Sequence, residues 1–301
     1  MKTTNGGGES FRDRVTASAG RLSPRERAVT DFLLNRPSEA VTASAAELAS
    51  LTGTSDATVV RTARSLGYGG FRELKRAVLE MLTERRDPAL VLDRRLEHIG
   101  GARVFDQVLA DGADMLRRMP EVVGAAAVEQ AVGVLAEADR TVAYGIGPAA
   151  ATARYFATEL TRLGRRCTEI EATGFRLADD LLGVGGGDAV LVFAPLRLFR
   201  EIEVLIAHAR EEGAPVVVVT EALGPALRDR VDVVITTPPS TAEAVGENFA
   251  GWVVAHSLVM ELAARDRTGS VAARQRLNRL RGEISGPDMD TDVLGADGGG
   301  T

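Results

Sequence analysis

The chain has little of what would place a protein outside the cell or in a membrane. Cysteine occurs once in 301 residues, at Cys167, so an intrachain disulfide and a cysteine-based zinc site are excluded. No apolar run approaches the ~18 residues that a membrane-spanning helix requires. Residues 1–9 are polar and glycine-rich, without the apolar stretch of a secretory signal. These absences predict a cytoplasmic protein with no membrane partner.

Basic charge is also scarce overall, but it is concentrated at one end. The formal net charge is −6, which by itself argues against a nucleic-acid partner. Residues 1–86, however, contain 14 Lys or Arg and 10 Asp or Glu, a net charge of +4, and the other 215 residues carry a net charge of −10. A basic head on an acidic body is typical of a DNA-binding module joined to a second domain that DNA repels. The chain length likewise favours two domains.

Residues 44–75 have the pattern of a helix-turn-helix. A short amphipathic helix is predicted over Ser44–Leu51, a tight turn around Gly53, and a second helix over Ser55–Leu66 that ends at Gly67. Two helices that cross at a glycine turn fit the major groove of duplex DNA. We therefore predict that this segment binds DNA.

The second helix of the motif has two different faces. Val59, Thr62, Ala63 and Leu66 share the face that is expected to pack on the first helix, while Arg61 and Arg64 lie opposite, where an arginine can contact guanine or phosphate. Ser55 is expected to cap the helix, whose N-terminal amides can meet a phosphate. The alternative for any single arginine is a solvated surface charge. The predicted DNA-binding residues are Ser55, Asp56, Ala57, Thr58, Arg61, Arg64, Arg72 and Lys75.

The rest of the head is predicted to be helical. Ser23, Pro24 and Glu26 form the start of a capped helix that Pro37 stops, and a further helix is expected over Phe71–Leu82. The predicted boundaries are a disordered tail over 1–19, the helix-turn-helix domain over 20–84, and a partly helical connector over 85–103.

From about residue 104 the pattern changes to alternating helices and strands. Two helices, over 104–118 and 122–138, precede five strand-like apolar runs that alternate with helices, and the last of these helices spans 242–265. Continuously apolar strands between helices indicate a parallel sheet covered on both faces. The sequence thus predicts an all-α head followed by a doubly wound, five-stranded α/β domain over 104–281, with a disordered tail over 282–301. The strands are expected at 141–146, 166–170, 189–194, 215–220 and 231–236.

The head motifs resemble the N-terminal domain of the RpiR/MurR-like bacterial transcription regulators. In that family a sugar isomerase (SIS) domain follows, with a flavodoxin-like strand order, and senses a phosphosugar. The resemblance covers about residues 20–265 and implies a double-stranded DNA operator, a small-molecule effector and a homodimer or homotetramer. The apolar surfaces of 104–138 and of the last long helix are the expected sites of self-association. The motifs that carry the resemblance are Leu22–Glu26, Glu47–Ala49, Gly53–Arg61, Leu66–Phe71 and Glu73–Lys75.

The predicted effector site departs from this family. Gly145-Ile-Gly147 ends the first strand, where the next helix directs its N-terminus at the carboxyl edge of the sheet, a position that suits an anion. In SIS domains a Ser follows, and a second loop has the form Ser-x-Ser-Gly-x-Thr. Here those positions are Ala149 and 194–199, so every hydroxyl is missing. Losing four hydrogen bonds of ~1 kcal/mol each would weaken phosphosugar binding by about three orders of magnitude.

Arginine can replace the missing groups, because a guanidinium binds phosphate or carboxylate with two hydrogen bonds. We expect a less hydroxylated ligand that can still be anionic; the alternative is a body that binds nothing small. The predicted effector-binding residues are Gly145, Gly147, Ala149, Ala194, Arg197, Arg200, Thr220, Glu243 and Glu247.

An enzymatic body is the main competing hypothesis. Sugar isomerisation needs a general base, and Glu243, Glu247 and His256 are the candidates. Each candidate also has a structural explanation. The two glutamates can stabilise the N-terminal end of a helix through its dipole, and a histidine on an apolar helix is most often packed in the core or at an interface. Because the substrate-holding hydroxyls are missing, we predict no enzymatic activity, no catalytic residue, no cofactor and no metal. A DNA-binding dimer without any ligand is the third hypothesis.

Overall fold

The computed structural model describes residues 11–84, 88–101, 103–194, 196–240, 244–246 and 248–285. Within these ranges no single helix has the length and apolar character needed to cross a membrane. Only the pair Val104–Val122 and Ala125–Glu137, which is bent by 84°, meets that requirement jointly, by length and composition.

The head consists of six helices around one core. Two of them start with a reciprocal capping box, Ser23 with Glu26 and Ser44 with Glu47, as the spacing predicts. Apolar residues from all six helices, among them Leu33, Leu48 and Leu74, form the core. The helices are α1 (Phe11–Ser18), α2 (Pro24–Asn35), α3 (Pro37–Thr42), α4 (Ala45–Leu51), α5 (Asp56–Ser65) and α6 (Phe71–Glu84).

Two features of the head differ from the sequence-based expectation. The disordered tail predicted over 1–19 is wrong for residues 11–18, because Phe11 is 3% exposed and belongs to the core. Phe11, Val15 and Ser18 have helical spacing, which lets α1 cover the head. Pro37 begins α3 rather than only ending α2, since a proline is tolerated in the first turn of a helix. Residues 1–10 lie outside the described residues.

Three helices lead from the head to the sheet: α7 (Pro88–Ile99), α8 (Val104–Val122) and α9 (Ala125–Glu137). The predicted connector is therefore largely one helix, α7. Helix α8 runs further than expected, because Met115, Met119 and Val122 continue its buried stripe. The head also contacts the body through α3, where Glu39 pairs with Arg228 at 3.6 Å.

The body contains a five-stranded, all-parallel sheet in the order β2-β1-β3-β4-β5. This confirms the predicted sheet and its flavodoxin-like order. The central strand β3 is buried along its whole length, as expected for a sheet covered on both faces. The strands are β1 (Arg140–Gly145), β2 (Cys167–Ile170), β3 (Asp188–Phe193), β4 (Val216–Thr220) and β5 (Val233–Thr236).

Helices cover both faces of this sheet. Leu191 and Phe193 point to the face covered by α9, α10 and α14, and Val190 and Val192 point to the face covered by α11, α12 and α13. The carboxyl ends of the strands and the N-termini of the following helices therefore meet at one edge. The helices are α10 (Pro148–Arg162), α11 (Phe175–Leu181), α12 (Arg200–Glu211), α13 (Gly224–Leu227), α14 (Phe249–Arg265) and α15 (Arg267–Ser285).

The C-terminal part also corrects the prediction. The last helix was expected over 242–265, whereas α14 begins at Phe249 and a further helix, α15, extends to Ser285. Helix α15 packs on α10 through buried Ala273, and Arg274 pairs with Glu159. Residues 282–285 are thus helical rather than disordered, and residues 286–301 lie outside the described residues.

Candidate functional site

Helix α5 presents the two faces that its sequence predicts. Val59, Thr62 and Ala63 are fully buried, and Leu66 just after the helix is 2% exposed. On the opposite side Asp56, Ala57, Arg61 and Arg64 are exposed, and Val60 is half-buried. The helix thus holds two arginines on a solvent-facing surface, backed by a rigid apolar contact.

The turn before α5 fixes where this surface begins. Gly53 has φ +61°, a left-handed conformation that suits glycine, and the Ser55 side chain accepts the Thr58 N–H at 3.3 Å. Thr58 itself is buried, and its hydroxyl lies 3.0 Å from the Ser55 hydroxyl. Thr58 therefore supports the cap and does not face outward as predicted.

The predicted phosphate contacts on α6 divide into two kinds. Arg72 is exposed and lines an open cleft of about 780 Å³ beside Gly69 and Gly70. Lys75, however, is half-buried and its Nζ donates to the Ala43 carbonyl at 2.9 Å. Lys75 thus holds α6 against the segment between α3 and α4. It also lines the same cleft as Arg72, so its role at the DNA surface stays a prediction.

A carboxylate network anchors the end of α5. Glu26 accepts hydrogen bonds from the Ser23 hydroxyl at 2.7 Å, the Ser23 N–H at 2.9 Å and the Ser65 hydroxyl at 2.6 Å. Led by the Ser23 side chain, these bonds hold the pKa of Glu26 below its usual value. The capping box was predicted from the sequence, but its link to Ser65 was not, because no local spacing connects these residues.

At the carboxyl edge of the sheet, Gly145 and Gly147 form a close turn into α10. A Cβ on Gly145 would lie 2.5 Å from the Ala149 carbonyl oxygen, and Gly147 has φ +60°. Pro148 has no N–H, while the N–H groups of Ala149 and Ala150 donate to the carbonyls of Ile146 and Gly147. The first turn of α10 therefore uses its donors internally, unlike the anion-binding terminus that was predicted.

The second predicted loop lies beside it. Ala194 is buried and its N–H donates to the Val219 carbonyl, so it continues the sheet. Arg197 and Arg200 are exposed, and Arg200 lies 3.4 Å from Glu203. Glu203, together with Glu201, already complements the positive N-terminal end of α12.

The remaining predicted effector residues are placed differently. Thr220 is buried, and its hydroxyl accepts the N–H groups of Ala222 and Leu223 at 3.2 and 2.9 Å, so it caps the turn after β4 rather than facing a ligand. Glu243 and Glu247 lie outside the described residues.

Sequence reasoning missed two buried carboxylates near this edge. Glu221 is 3% exposed and accepts the N–H and the hydroxyl of Ser240 at 3.1 and 2.9 Å. Asp111 on α8 accepts the Ala244 N–H at 2.7 Å and lies 3.0 Å from His98 Nε2. His98 is itself exposed. The available signal in the sequence was an acidic residue flanked by apolar or small residues. Such a carboxylate is expected to be buried, and a buried carboxylate needs hydrogen-bond donors.

His256 does not lie in the core of the chain, and of the two expected positions, core or subunit interface, only the interface remains as a prediction. It is exposed, and its Nδ1 lies 2.6 Å from the Tyr155 hydroxyl, beside the ring of Trp252. In the parts of the chain that the structure describes, no group of three or more His, Cys, Asp or Glu is arranged to hold a metal ion.

Two family models match the chain. The model of the helix-turn-helix domain of the rpiR family matches residues 12–85, and the SIS domain model matches residues 134–264. The chain belongs to the RpiR family. Similar proteins named as HTH-type transcriptional regulators include one from Bacillus subtilis, 24% identical over 67% of this chain and 70% of its own, and one from Haemophilus influenzae, 23% identical over 80% and 84%.

Another relative is larger. The bifunctional protein glk of Burkholderia thailandensis is 25% identical over 240 residues, which is 78% of this chain but 36% of that protein. This RpiR-family chain therefore spans about a third of the length of that relative.

Solved structures show the same fold. The sugar isomerase domain of an RpiR transcription factor from Sphaerobacter thermophilus has a TM-score of 0.54 at 23% identity, covering 58% of this chain and 97% of that one. The Vibrio vulnificus NanR protein, solved with ManNAc-6P, has a TM-score of 0.53 at 20% identity, covering 91% and 99%. The second match includes both the head and the body.

Proposed function

We propose that the protein is a transcription regulator that binds an operator through α5 and whose α/β body senses a small metabolite. The observation that carries this proposal is the division of α5 into a buried apolar face and an exposed face with Arg61 and Arg64. A helix supported in this way can enter the major groove without rearrangement of the head. The similar proteins named as transcriptional regulators support the same function.

In this proposal the effector differs from a phosphosugar. NanR of Vibrio vulnificus is a protein solved with ManNAc-6P. In this chain, however, Ala149 and Ala194 stand where the family resemblance implies hydroxyl residues. The internal hydrogen bonds of the first turn of α10 further reduce its capacity to bind phosphate. These features support a less hydroxylated ligand, with the exposed Arg197 as its anion contact.

We further propose that the body senses and does not catalyse. A general base must lie within hydrogen-bond reach of the proton it removes, and Glu221 instead accepts two hydrogen bonds from Ser240. Glu243 and Glu247 remain the residues to test, because loss of a phosphosugar isomerase activity on their substitution would favour an enzyme.

The proposed regulator acts as a homodimer or homotetramer, since a palindromic operator requires paired heads. Helix α8 exposes an apolar stripe that includes Phe105, 63% exposed, and Leu109, and α14 exposes Trp252 and Met260. We propose these surfaces as the contacts between subunits, in a cytoplasmic protein that is associated with the nucleoid when bound to DNA.

The DNA-binding role can be tested with the purified full chain. Genomic fragments are first selected for binding, and the affinity for the best fragment is then measured by gel shift at several salt concentrations. Arg61→Ala is expected to weaken this affinity about 10- to 100-fold with an unchanged melting temperature, because one base contact is worth roughly 1–3 kcal/mol. Arg166→Ala, an exposed arginine of the body, is the matched control. A protein with no salt-dependent preference for any fragment would contradict the proposal.

The effector can be sought by thermal shift. Phosphosugars, acyl phosphates and organic acids are compared at equal concentration, and stabilisation by a less hydroxylated anion, lost in Arg197→Ala, is the expected result. Stabilisation by a hexose phosphate alone would overturn the proposed ligand class. If no anion stabilises the protein and operator affinity ignores metabolites, the ligand-independent DNA-binding dimer is favoured.

A further inference from the structure

The segment between β5 and α14 is attached to the sheet at Ser240. This residue is fully buried, and both its N–H and its hydroxyl donate to the Glu221 carboxylate at the end of β4. A buried carboxylate that accepts two hydrogen bonds from one residue holds that residue firmly, because leaving the charge without donors is costly. Ser240 is therefore fixed at the carboxyl edge where open α/β sheets bind ligands.

The same segment is attached to α8 four residues later. The Ala244 N–H donates to Asp111 at 2.7 Å, and the next residue, Val245, is buried close to Gly112 on α8. Burial raises the pKa of Asp111, but the hydrogen bonds from Ala244, His98 and Gln107 outweigh this and hold the pKa below its usual value. Asp111 is thus a charged carboxylate that is hydrogen-bonded to three residues.

The connector helix α7 contacts both attachments. His98 Nε2 lies 3.0 Å from the Asp111 carboxylate, and Arg95 Nη2 donates to the Ser240 carbonyl at 3.4 Å. These residues lie one turn apart on α7, the helix that leads from the head into the body. One side of α7 is therefore bonded to the same segment that is bonded to the sheet edge.

We propose that Asp111 is a positioning residue that couples the effector edge to the DNA-binding head, by bonding the Ala244 backbone and the connector residue His98 with one carboxylate. This inference rests on the proposed function and identifies its route of regulation. A ligand that displaces the segment around Ser240 and Ala244 also displaces α7, and hence the angle between paired heads. A contiguous chain of hydrogen bonds of this kind can carry coupling between two sites.

The coupling can be measured without knowing the effector. Hydrogen–deuterium exchange is followed on the full chain for two peptides, 88–99 on α7 and 244–250, which leads into α14. Asp111→Asn is expected to accelerate exchange in both peptides about tenfold, because it weakens bonds to both sides. His98→Ala is expected to accelerate exchange in 244–250 severalfold, because His98 is bonded to Asp111, which in turn accepts the Ala244 N–H. Glu97→Ala, an exposed neighbour on α7, is the control and is expected to change neither peptide's exchange by more than the error.

The His98 variant decides the question even if Asp111→Asn does not fold. Acceleration confined to 88–99 in His98→Ala would overturn the inference, because the two attachments would then be independent. A second measurement separates this outcome from failure of the proposed function: operator affinity by gel shift is expected to change at least about threefold in His98→Ala and to stay constant in Glu97→Ala. If no operator is bound by the unaltered protein, the regulator function fails while the exchange result still tests the coupling. If an operator is bound but exchange is uncoupled, only this inference fails.

Discussion

The head and the body use their predicted site residues in different ways. In the head, Arg61 and Arg64 are exposed on a helix whose other face is buried. In the body, Ala149 and Ala194 are buried, and Thr220 caps a turn with its hydroxyl. The head therefore presents the groups that its function needs. The edge of the sheet keeps the fold, uses the Thr220 hydroxyl and the first-turn N–H groups of α10 internally, and exposes Arg197 and Arg200.

The fold of such a domain and the chemistry of its ligand are separate properties. The sheet order depends on apolar strands such as β3 and on close turns such as that at Gly145, and neither requires a phosphate. A domain can thus keep its architecture for assembly and signalling while its ligand changes.

The largest expected effect lies in the body, at the turn into α10. Gly145→Ala would place a Cβ 2.5 Å from the Ala149 carbonyl oxygen and 2.8 Å from the Ala150 nitrogen, and backbone atoms cannot move aside cheaply. We expect a loss of about 3 kcal/mol in the free energy of unfolding, measured by urea denaturation.

Gly133→Ala on α9 is the matched control, because nothing lies within 4 Å of the added Cβ and alanine favours a helix over glycine. It is expected to be neutral or slightly stabilising. If Gly145→Ala unfolds at the same urea concentration as the unaltered protein, the close approach of β1 and α10 is not a constraint on this domain.

The head has its own most sensitive point at Glu26. Glu26→Gln replaces one carboxylate oxygen with an amide that cannot accept the bonds from Ser23 or Ser65. We expect a loss of about 1–2 kcal/mol, measured as the stability of the head's unfolding transition. Glu47→Gln changes the equivalent capping residue of α4, which accepts the Ser44 N–H at 2.7 Å and is exposed, so its effect is expected to be smaller. Equal losses would show that the link between α2 and α5 adds nothing.

The sequence predicts these regions unequally well, for physical reasons. The two faces of α5 follow from helical periodicity, so Val59 and Arg61 are placed correctly. The burial of Thr58 could have been predicted, because Thr58 precedes the buried Thr62 by four residues and shares its face. The partner of Lys75 could not, because the Ala43 carbonyl lies 32 positions away in the sequence. The bond between Asp111 and Ala244 spans 133 positions, and a spacing of that size carries no local signal.

The comparison within α6 gives a smaller effect on DNA binding. Arg72→Ala is expected to weaken operator binding uniformly across sequences and to reduce the slope of log affinity against log salt by about 1, because one phosphate contact is lost. Lys75→Ala is expected to leave that slope unchanged and to lower the melting temperature instead, since its Nζ bonds Ala43. Gel shifts at several salt concentrations measure both. An equal change of slope in the two variants would show that Lys75 also contacts a phosphate of the DNA.

The smallest effect is the pH dependence of the head. Hydrogen bonds, first that of the Ser23 side chain and then that of Ser65, place the pKa of Glu26 below its ordinary value of 4.5. A carboxylate whose pKa is lower in the folded state than in the unfolded state stabilises the folded protein. This stabilisation is complete at a pH above the unfolded-state pKa, and it is lost as the pH falls through the folded-state pKa. The gap in melting temperature between the unaltered protein and Glu26→Gln is therefore expected to be constant from neutral pH to about pH 5 and to shrink below pH 4.5. A gap that stays constant into that acidic range would contradict the lowered pKa of Glu26, because protonation of this carboxylate would then cost the folded protein no stability.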